Sequence, residues 1–146
     1  MTEERQPQDG SQRATVEALI TAWKRKDVQS VLDLLCDDVE YHYLVGERPL
    51  VGKEWVARFL ERFKEHIGEN NRWRIARCAE AGNLLLVEGI DDYEDTEGNH
   101  IRYPYMGAFE FRDGRIHRWR DYADRALIAD QRAGKALPEW LVPLVA

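Results

Sequence analysis

Near Arg72 the hydrophobic period of this chain changes from 3.6 to 2, and that switch constrains the fold more than any other feature. Four alternating stretches follow it: Trp73–Ala79, Leu84–Glu94, Ile101–Phe111 and Arg115–Tyr122. Their connections are short and rich in turn residues: Ala81-Gly82-Asn83, the Asp95–Asn99 stretch with Gly98, and Asp113-Gly114. Closely spaced strands joined this way form an antiparallel meander.

The chain before Arg72 reads as helical, with one strand. Val16, Leu19, Ile20 and Trp23 recur at helical spacing, with Ser11 or Thr15 as a cap. Lys24, Arg25 and Lys26 fall in the last turn, where cations complement the helix dipole. Asp27 is placed to cap a short second helix carrying Val28, Val31, Leu32 and Leu35. Val39–Val45 alternates and reads as a strand, and Gly46–Gly52, with Pro49, reads as a loop. Trp55, Val56, Phe59, Leu60, Phe63 and Ile67 make the broad apolar stripe of a third helix. Ala123–Ala133 predicts a last short helix.

Helices first and a long-stranded sheet afterwards predict an α+β domain with its helices on one face. A strongly twisted, mostly antiparallel sheet wrapped on the N-terminal helices makes a cone, and a cone can enclose an apolar pocket. The expected organisation is a disordered tail over 1–10, one domain over 11–136, and an apolar C-terminal tail over 137–146 packing on that domain. A chain of 146 residues can bury roughly two-thirds of its unfolded surface, so a single core suffices.

Composition narrows the function classes. With 44% hydrophobic and 33% charged residues the chain reads as globular, not disordered. No apolar run approaches the roughly 20 residues of a membrane helix, and the first ten residues lack a signal-peptide core, so the expected location is cytoplasmic. A net charge of −6 argues against non-specific nucleic-acid binding, which relies on Lys and Arg neutralising phosphates. Cys36 and Cys78 have no metal-ligand spacing and read as reduced core thiols. No metal and no cofactor are expected.

Alternation then sorts side chains by face. Leu85, Val87, Gly89, Asp91 and Tyr93 share one face of their strand, while Leu84, Leu86, Glu88, Ile90, Asp92 and Glu94 form an opposite face whose acidic half is expected to be wet. Tyr103, Tyr105, Gly107, Phe109 and Phe111 share a face of the next strand. His117, Trp119 and Asp121 share one on the last. If these faces point inward, an aromatic cavity contains two carboxyls, Asp91 and Asp121. Tyr41 and Tyr43 add phenols, and Ile20, Trp23, Phe63, Trp73 and Ile128 are expected to complete the substrate wall.

A carboxyl among aromatics has its pKa raised by desolvation, and a second carboxyl raises one of the pair further. One can then act as acid while its partner acts as base. Alternation alone also permits a plainer arrangement, in which Asp121 is satisfied by backbone amides or an Arg and Asp91 faces solvent. His42, His66 and His100 read as surface or structural residues.

Over roughly Val16–Asp130 the chain resembles the nuclear transport factor 2-like superfamily, specifically its limonene-epoxide hydrolase and SnoaL-like polyketide cyclase branches. The resemblance is carried by VEALITAWKRKD, DDVEYHYLVGERPLVGKEWV, EGIDDY and, most specifically, MGAFEFRDGRIHRWRDYAD. It implies a cone-like fold with a deep apolar pocket and a homodimer across the outer sheet. It also implies cofactor-free chemistry on a small hydrophobic, oxygenated molecule of terpenoid, polyketide or steroid-like type. In the hydrolase branch one Asp deprotonates water, another protonates the epoxide oxygen, and an Arg bridges them; a Tyr and an Asn hold the water. Carried over, the base falls on Asp121, the acid on Asp91 and the water-holding Tyr on Tyr41. The Arg position holds Gly89 and the Asn position holds Tyr43.

Two family roles are thus vacant. Without the Arg, two neighbouring carboxyls tend to share one proton, and Gly89 is expected to leave space in the wall beside Trp73. Arg77 and Arg102 are the nearest candidate replacements, although alternation puts Arg102 on the face opposite Tyr103. The tyrosines point to a different chemistry. Phenols aimed at a developing enolate are the oxyanion donors of isomerases, dehydratases and cyclases. Tyr41, Tyr43, Tyr93, Tyr103 and Tyr105 are candidates, with Asp121 or His117 as base. A non-catalytic module binding a small apolar ligand is the remaining alternative.

Overall fold

A computed structural model describes residues 11–146; the tail expected over 1–10 lies outside the described residues. Helix α1 covers Gln12–Lys24, and the Ser11 side chain accepts the Ala14 N–H as its cap. Helix α2 is Val28–Leu32, capped by Asp27 through the Ser30 N–H. Strand β1 (Leu35–His42) begins four residues before the predicted strand. The helical spacing of Val28, Val31 and Leu32 does not extend to Leu35, because Leu35 pairs with Ile116 of the last strand and is fully buried there. Within the expected loop, Leu50–Val51 forms β2, antiparallel to Glu40 and Tyr41. Helix α3 is Lys53–Phe63, followed by a 3₁₀ turn over Lys64–His66.

The second half is the predicted meander: β3 (Arg74–Ala81), β4 (Leu84–Glu94), β5 (His100–Arg112) and β6 (Arg115–Tyr122). The strands form one curved, unclosed sheet in the order β2-β1-β6-β5-β4-β3, antiparallel throughout except where β1 runs parallel to β6. Helix α4 (Arg125–Arg132) follows, capped by Asp124. The C-terminal segment carries a 3₁₀ stretch, Glu139–Leu144, and Arg74 donates to the Val145 carbonyl at 2.6 Å.

One core lies between the helices and the concave face of the sheet. It joins Val16, Leu19, Ile20 and Trp23 of α1 and Val56 and Leu60 of α3 to the inner residues Leu85, Val87, Phe109 and Trp119. The two cysteines are free, Cys36 buried and Cys78 half-buried.

The outer face corrects one expectation. Asp92 is only 7% exposed, not wet. Arg72 bridges it at 2.8 Å, Arg74 at 3.3 Å and His100 at 2.7 Å, and Arg72 also holds Glu94. Burial alone would raise this carboxyl, but these hydrogen bonds outweigh it and bring its pKa down to about 2. Ile90 beside it is also buried.

Candidate active site

The concave face of the sheet, α1, α3 and α4 enclose a cavity of about 560 Å³. Its wall is a continuous set of aromatic contacts. Tyr41 stacks on Trp119 with ring centroids 3.9 Å apart, and Trp119 lies parallel to Trp73 at 6.4 Å. Tyr43 stacks on Phe59 at 4.5 Å, Phe59 on Phe63 at 5.7 Å, and Phe63 faces Trp23 at 6.2 Å. Such stacks stiffen the wall and keep it apolar.

Asp91 of β4 and Asp121 of β6 both open into this cavity. Alternation fixes this, because each sits on the inner face of a strand that keeps its register there: Asp91 pairs with Tyr103 and Asp121 with Gly107. Gly107 also makes room for the carboxyl. A Cβ there would lie 3.2 Å from Asp121 Oδ1.

Burial pushes Asp91 up to about 6, against a hydrogen bond from the Tyr103 hydroxyl that favours the ion. Burial and then the charge of Asp91 push Asp121 well above the usual carboxylate range, against a hydrogen bond from Trp119 Nε1 at 3.1 Å. Both shifts favour a pair that keeps a proton above the pH at which an ordinary carboxyl loses it, the condition under which one carboxyl is an acid and the other a base. Burial and the two carboxylates also raise the Tyr41 phenol well above its ordinary value.

Of the residues assigned from sequence, Asp91, Asp121, Tyr41, Tyr43, Trp23, Phe63, Trp73, Tyr103, Tyr105, Trp119 and Ile128 line the cavity. Four do not. His117 is the extra residue of a bulge: Glu110 pairs with Arg118 and Phe111 with Ile116, so His117 leaves the inner face. Its ring meets Arg112 at 3.2 Å and Asp38 at 3.7 Å, outside the cavity. Ile20 turns into the core while Leu19 and Trp23 take the wall. Tyr93 keeps its face but lies buried nearer the β4–β5 turn, with Arg132 donating to its hydroxyl.

Gly89 differs most from expectation. The space above it is not empty, because the Tyr105 ring fills it: a Cβ at position 89 would lie 2.3 Å from Tyr105 Cζ. Neither Arg77 nor Arg102 reaches the cavity; Arg77 is exposed and pairs with Glu88.

Sequence reasoning missed Glu47 and Arg125, which line the cavity and pair with each other. They are 78 residues apart, on a loop and on α4, and no local spacing signals their meeting. Phe59 was visible only as one member of the α3 stripe. Among the described residues no three His, Cys, Asp or Glu side chains cluster as metal ligands, and no helix is long and apolar enough to cross a membrane.

Residues 16–119 match the model of the SnoaL-like domain. The chain belongs to the SnoaL-like family. Its SnoaL-like domain is 32% identical over 109 residues to epoxide hydrolase EphG of Mycobacterium tuberculosis, covering 75% of this chain and 70% of that protein. Among solved structures it is similar to an M. tuberculosis LEH-like epoxide hydrolase, at 29% identity and a TM-score of 0.72, covering 89% of this chain and 94% of that one. It is also similar to a candidate polyketide cyclase from Xanthomonas campestris, at 24% identity and a TM-score of 0.66, covering 82% and 95%. That last likeness shows the fold alone. Two of these relatives are named for epoxide hydrolysis.

Proposed function

We propose that this SnoaL-like protein is a cofactor-independent acid–base enzyme that opens an epoxide in a small hydrophobic, oxygenated substrate of terpenoid, polyketide or steroid-like type. The observation that carries the proposal is the carboxyl pair, Asp91 and Asp121, both raised and both open to one aromatic cavity. The likeness to epoxide hydrolase EphG supports the choice of reaction.

In this scheme the ionised carboxyl of the pair takes a proton from water as the water oxygen attacks an epoxide carbon. The C–O bond breaks, the protonated carboxyl gives its proton to the departing oxygen, and a diol results. The pair gains one proton and loses one, and transfer of the new proton from base to acid resets it without cofactor or covalent intermediate. Asp121 is the proposed base and Asp91 the proposed acid, so the one proton that the pair shares sits on Asp91 when water attacks. The missing Arg is consistent with a pair that shares its proton instead of holding it by a fixed cation.

One observation favours a second reaction in the same cavity. A neutral phenol, Tyr105, fills the site above Gly89, and neutral phenols suit an enolate intermediate in an isomerase, dehydratase or cyclase. The two are separated by turnover in ¹⁸O-water across a panel of epoxides and enones. Epoxide opening puts one label into a diol; enolate chemistry gives an isomer or cyclised product without it. Turnover undiminished in Asp121→Asn eliminates both. Tight binding of unmodified ligands with no turnover makes the protein a binding module.

A homodimer is also proposed. Leu86, Met106 and Tyr122 stand exposed together on the outer face of β4, β5 and β6, a surface suited to a second copy. Sedimentation should give twice the 17.1 kDa chain mass; a monomer, or a dimer unchanged by Met106→Lys, removes this assignment.

A further inference from the structure

We propose that Tyr105 is the hydrogen-bond donor to the substrate's reacting oxygen, in a seat that Gly89 leaves open and Trp73 fixes. The proposal rests on the acid–base reading above and adds a named catalytic residue to it.

Five tyrosines share the inner face or its margin, and they are held in different ways. Tyr103 is hydrogen-bonded to Asp91, and Tyr93, which does not line the cavity, is bonded by Arg132, which does. Tyr43 lies on the Phe59 ring, and Tyr41 is stacked on Trp119 and belongs to the water in the proposed scheme. Tyr105 is different. Its oxygen accepts the Trp73 indole N–H at 2.5 Å, in a buried bond. An indole can only donate, so the Tyr105 hydrogen points elsewhere. Among the described residues no acceptor is hydrogen-bonded to it, and Tyr105 belongs to the cavity wall that also holds both carboxyls. A phenol that already accepts one hydrogen bond is polarised into a better donor.

The backbone opposite is shaped for this ring. Gly89 pairs directly with Tyr105 across β4 and β5. A Cβ at 89 would lie 2.3 Å from Tyr105 Cζ and 2.4 Å from the hydroxyl oxygen itself. Any side chain at position 89 therefore evicts the hydroxyl. The phenol thus occupies the volume that a side chain at 89 would need. Trp73 holds the other side, 5% exposed and parallel to Trp119. A preorganised donor of this kind costs no reorientation when charge develops on the substrate oxygen. A glycine that merely lets a core tyrosine pack predicts the same geometry but no interaction with a ligand oxygen, so the test reads that interaction.

The probe is 2-acetylnaphthalene, whose carbonyl can accept but not donate, with 2-isopropenylnaphthalene as its hydrocarbon isostere. The infrared carbonyl band and both dissociation constants are measured for wild type, Tyr105→Phe, Tyr103→Phe and Trp73→Phe. Wild type should bind the ketone in preference to the hydrocarbon and lower its carbonyl frequency. Tyr105→Phe should return the band upward and reduce the ketone preference about tenfold, the worth of one hydrogen bond. Tyr103→Phe should leave the band in place, and Trp73→Phe, which keeps the hydroxyl but frees it, should give a smaller shift than wild type. A wild-type band that is not lowered, a band unchanged in Tyr105→Phe, or a shift lost in Tyr103→Phe or Asp121→Asn but kept in Tyr105→Phe overturns the proposal. If Tyr105→Phe does not fold, a Trp73→Phe band identical to wild type does so. Failure of the acid–base reading shows separately, as turnover that survives Asp121→Asn, whatever the carbonyl band does.

Discussion

Gly89→Ala is the smallest change that addresses how the cavity is built. The added Cβ meets Cζ, Cε1 and the hydroxyl of Tyr105 at 2.3 to 2.4 Å, and those three atoms are its nearest neighbours. Ordinary carbon contacts lie near 3.5–4 Å, so the ring must retreat by more than about 1 Å. It has little room, because Tyr105 is 4% exposed and bonded to Trp73. Overpacking of this kind costs about 1–3 kcal/mol, and losing the Trp73 bond about 1 kcal/mol more. Against this, replacing a strand glycine restricts the unfolded chain and returns about 0.5–1 kcal/mol. The net is a destabilisation of about 1–3 kcal/mol, or a fall in Tm of about 3–10 °C at this chain length. The assay is thermal and urea unfolding followed by circular dichroism, on wild type, Gly89→Ala, Tyr105→Ala and the double variant. In the Tyr105→Ala background the clash partner is gone, so Gly89→Ala should be neutral or slightly stabilising. A single-variant cost under about 0.5 kcal/mol, or an equal cost in both backgrounds, refutes the reasoning.

Other consequences are testable separately. Asp121→Asn and Asp91→Asn should each lower turnover by about 10²–10⁴-fold with the fold intact, the usual worth of a general acid or base; a loss below tenfold in both excludes the pair. Stability should respond to Asp91 with a definite sign. Its folded pKa is raised from 3.8 to about 6, so its contribution is present below pH 4 and is lost as pH rises through about 6. Asp91→Asn should therefore gain up to about 3 kcal/mol over wild type at pH 8 and little at pH 4 in urea melts. A gain that is equal at the two pH values contradicts this. Asp92 has the opposite sign: its pKa is lowered to about 2, so its stabilisation is present above pH 4 and is lost as pH falls through about 2. Asp92→Asn should cost about 1–3 kcal/mol at pH 7, discounted for the part-exposed Arg72 and Arg74, and the cost should shrink toward pH 2 in acid titrations.

Much of this site was legible from period alone. Two strands, Leu84–Glu94 and Arg115–Tyr122, match their predicted bounds, and with them the inner placement of Asp91 and Asp121. Alternation works there because each strand keeps an unbroken register against β5 around the carboxyl. His117 shows where it stops working, since a one-residue bulge reverses the face and leaves no mark in the local sequence. Asp92 was misread for a different reason. Its face does point outward, but Arg72, 20 residues away, and Arg74 and His100 converge on it and bury it. Leu35 and Leu50–Val51 follow pairings with distant strands that override local spacing. The filled space above Gly89 lies between the two cases. A glycine opposite an aromatic across a hairpin is readable once the register is known, but the direction of the Tyr105 hydroxyl depends on Trp73, which stands just before β3.

The account depends on two carboxyls that hold a proton between them in an aromatic cavity at neutral pH. The most direct measurement is a carbon-13 NMR titration of the Asp side-chain carboxyls, with Asp91→Asn and Asp121→Asn providing the assignments. The account predicts one carboxyl titrating near pH 6 and a second still protonated above it in the wild type, with the Asp121 midpoint falling when Asp91 is replaced. Two carboxyls that both ionise near pH 4, unaffected by each other's replacement, would contradict it.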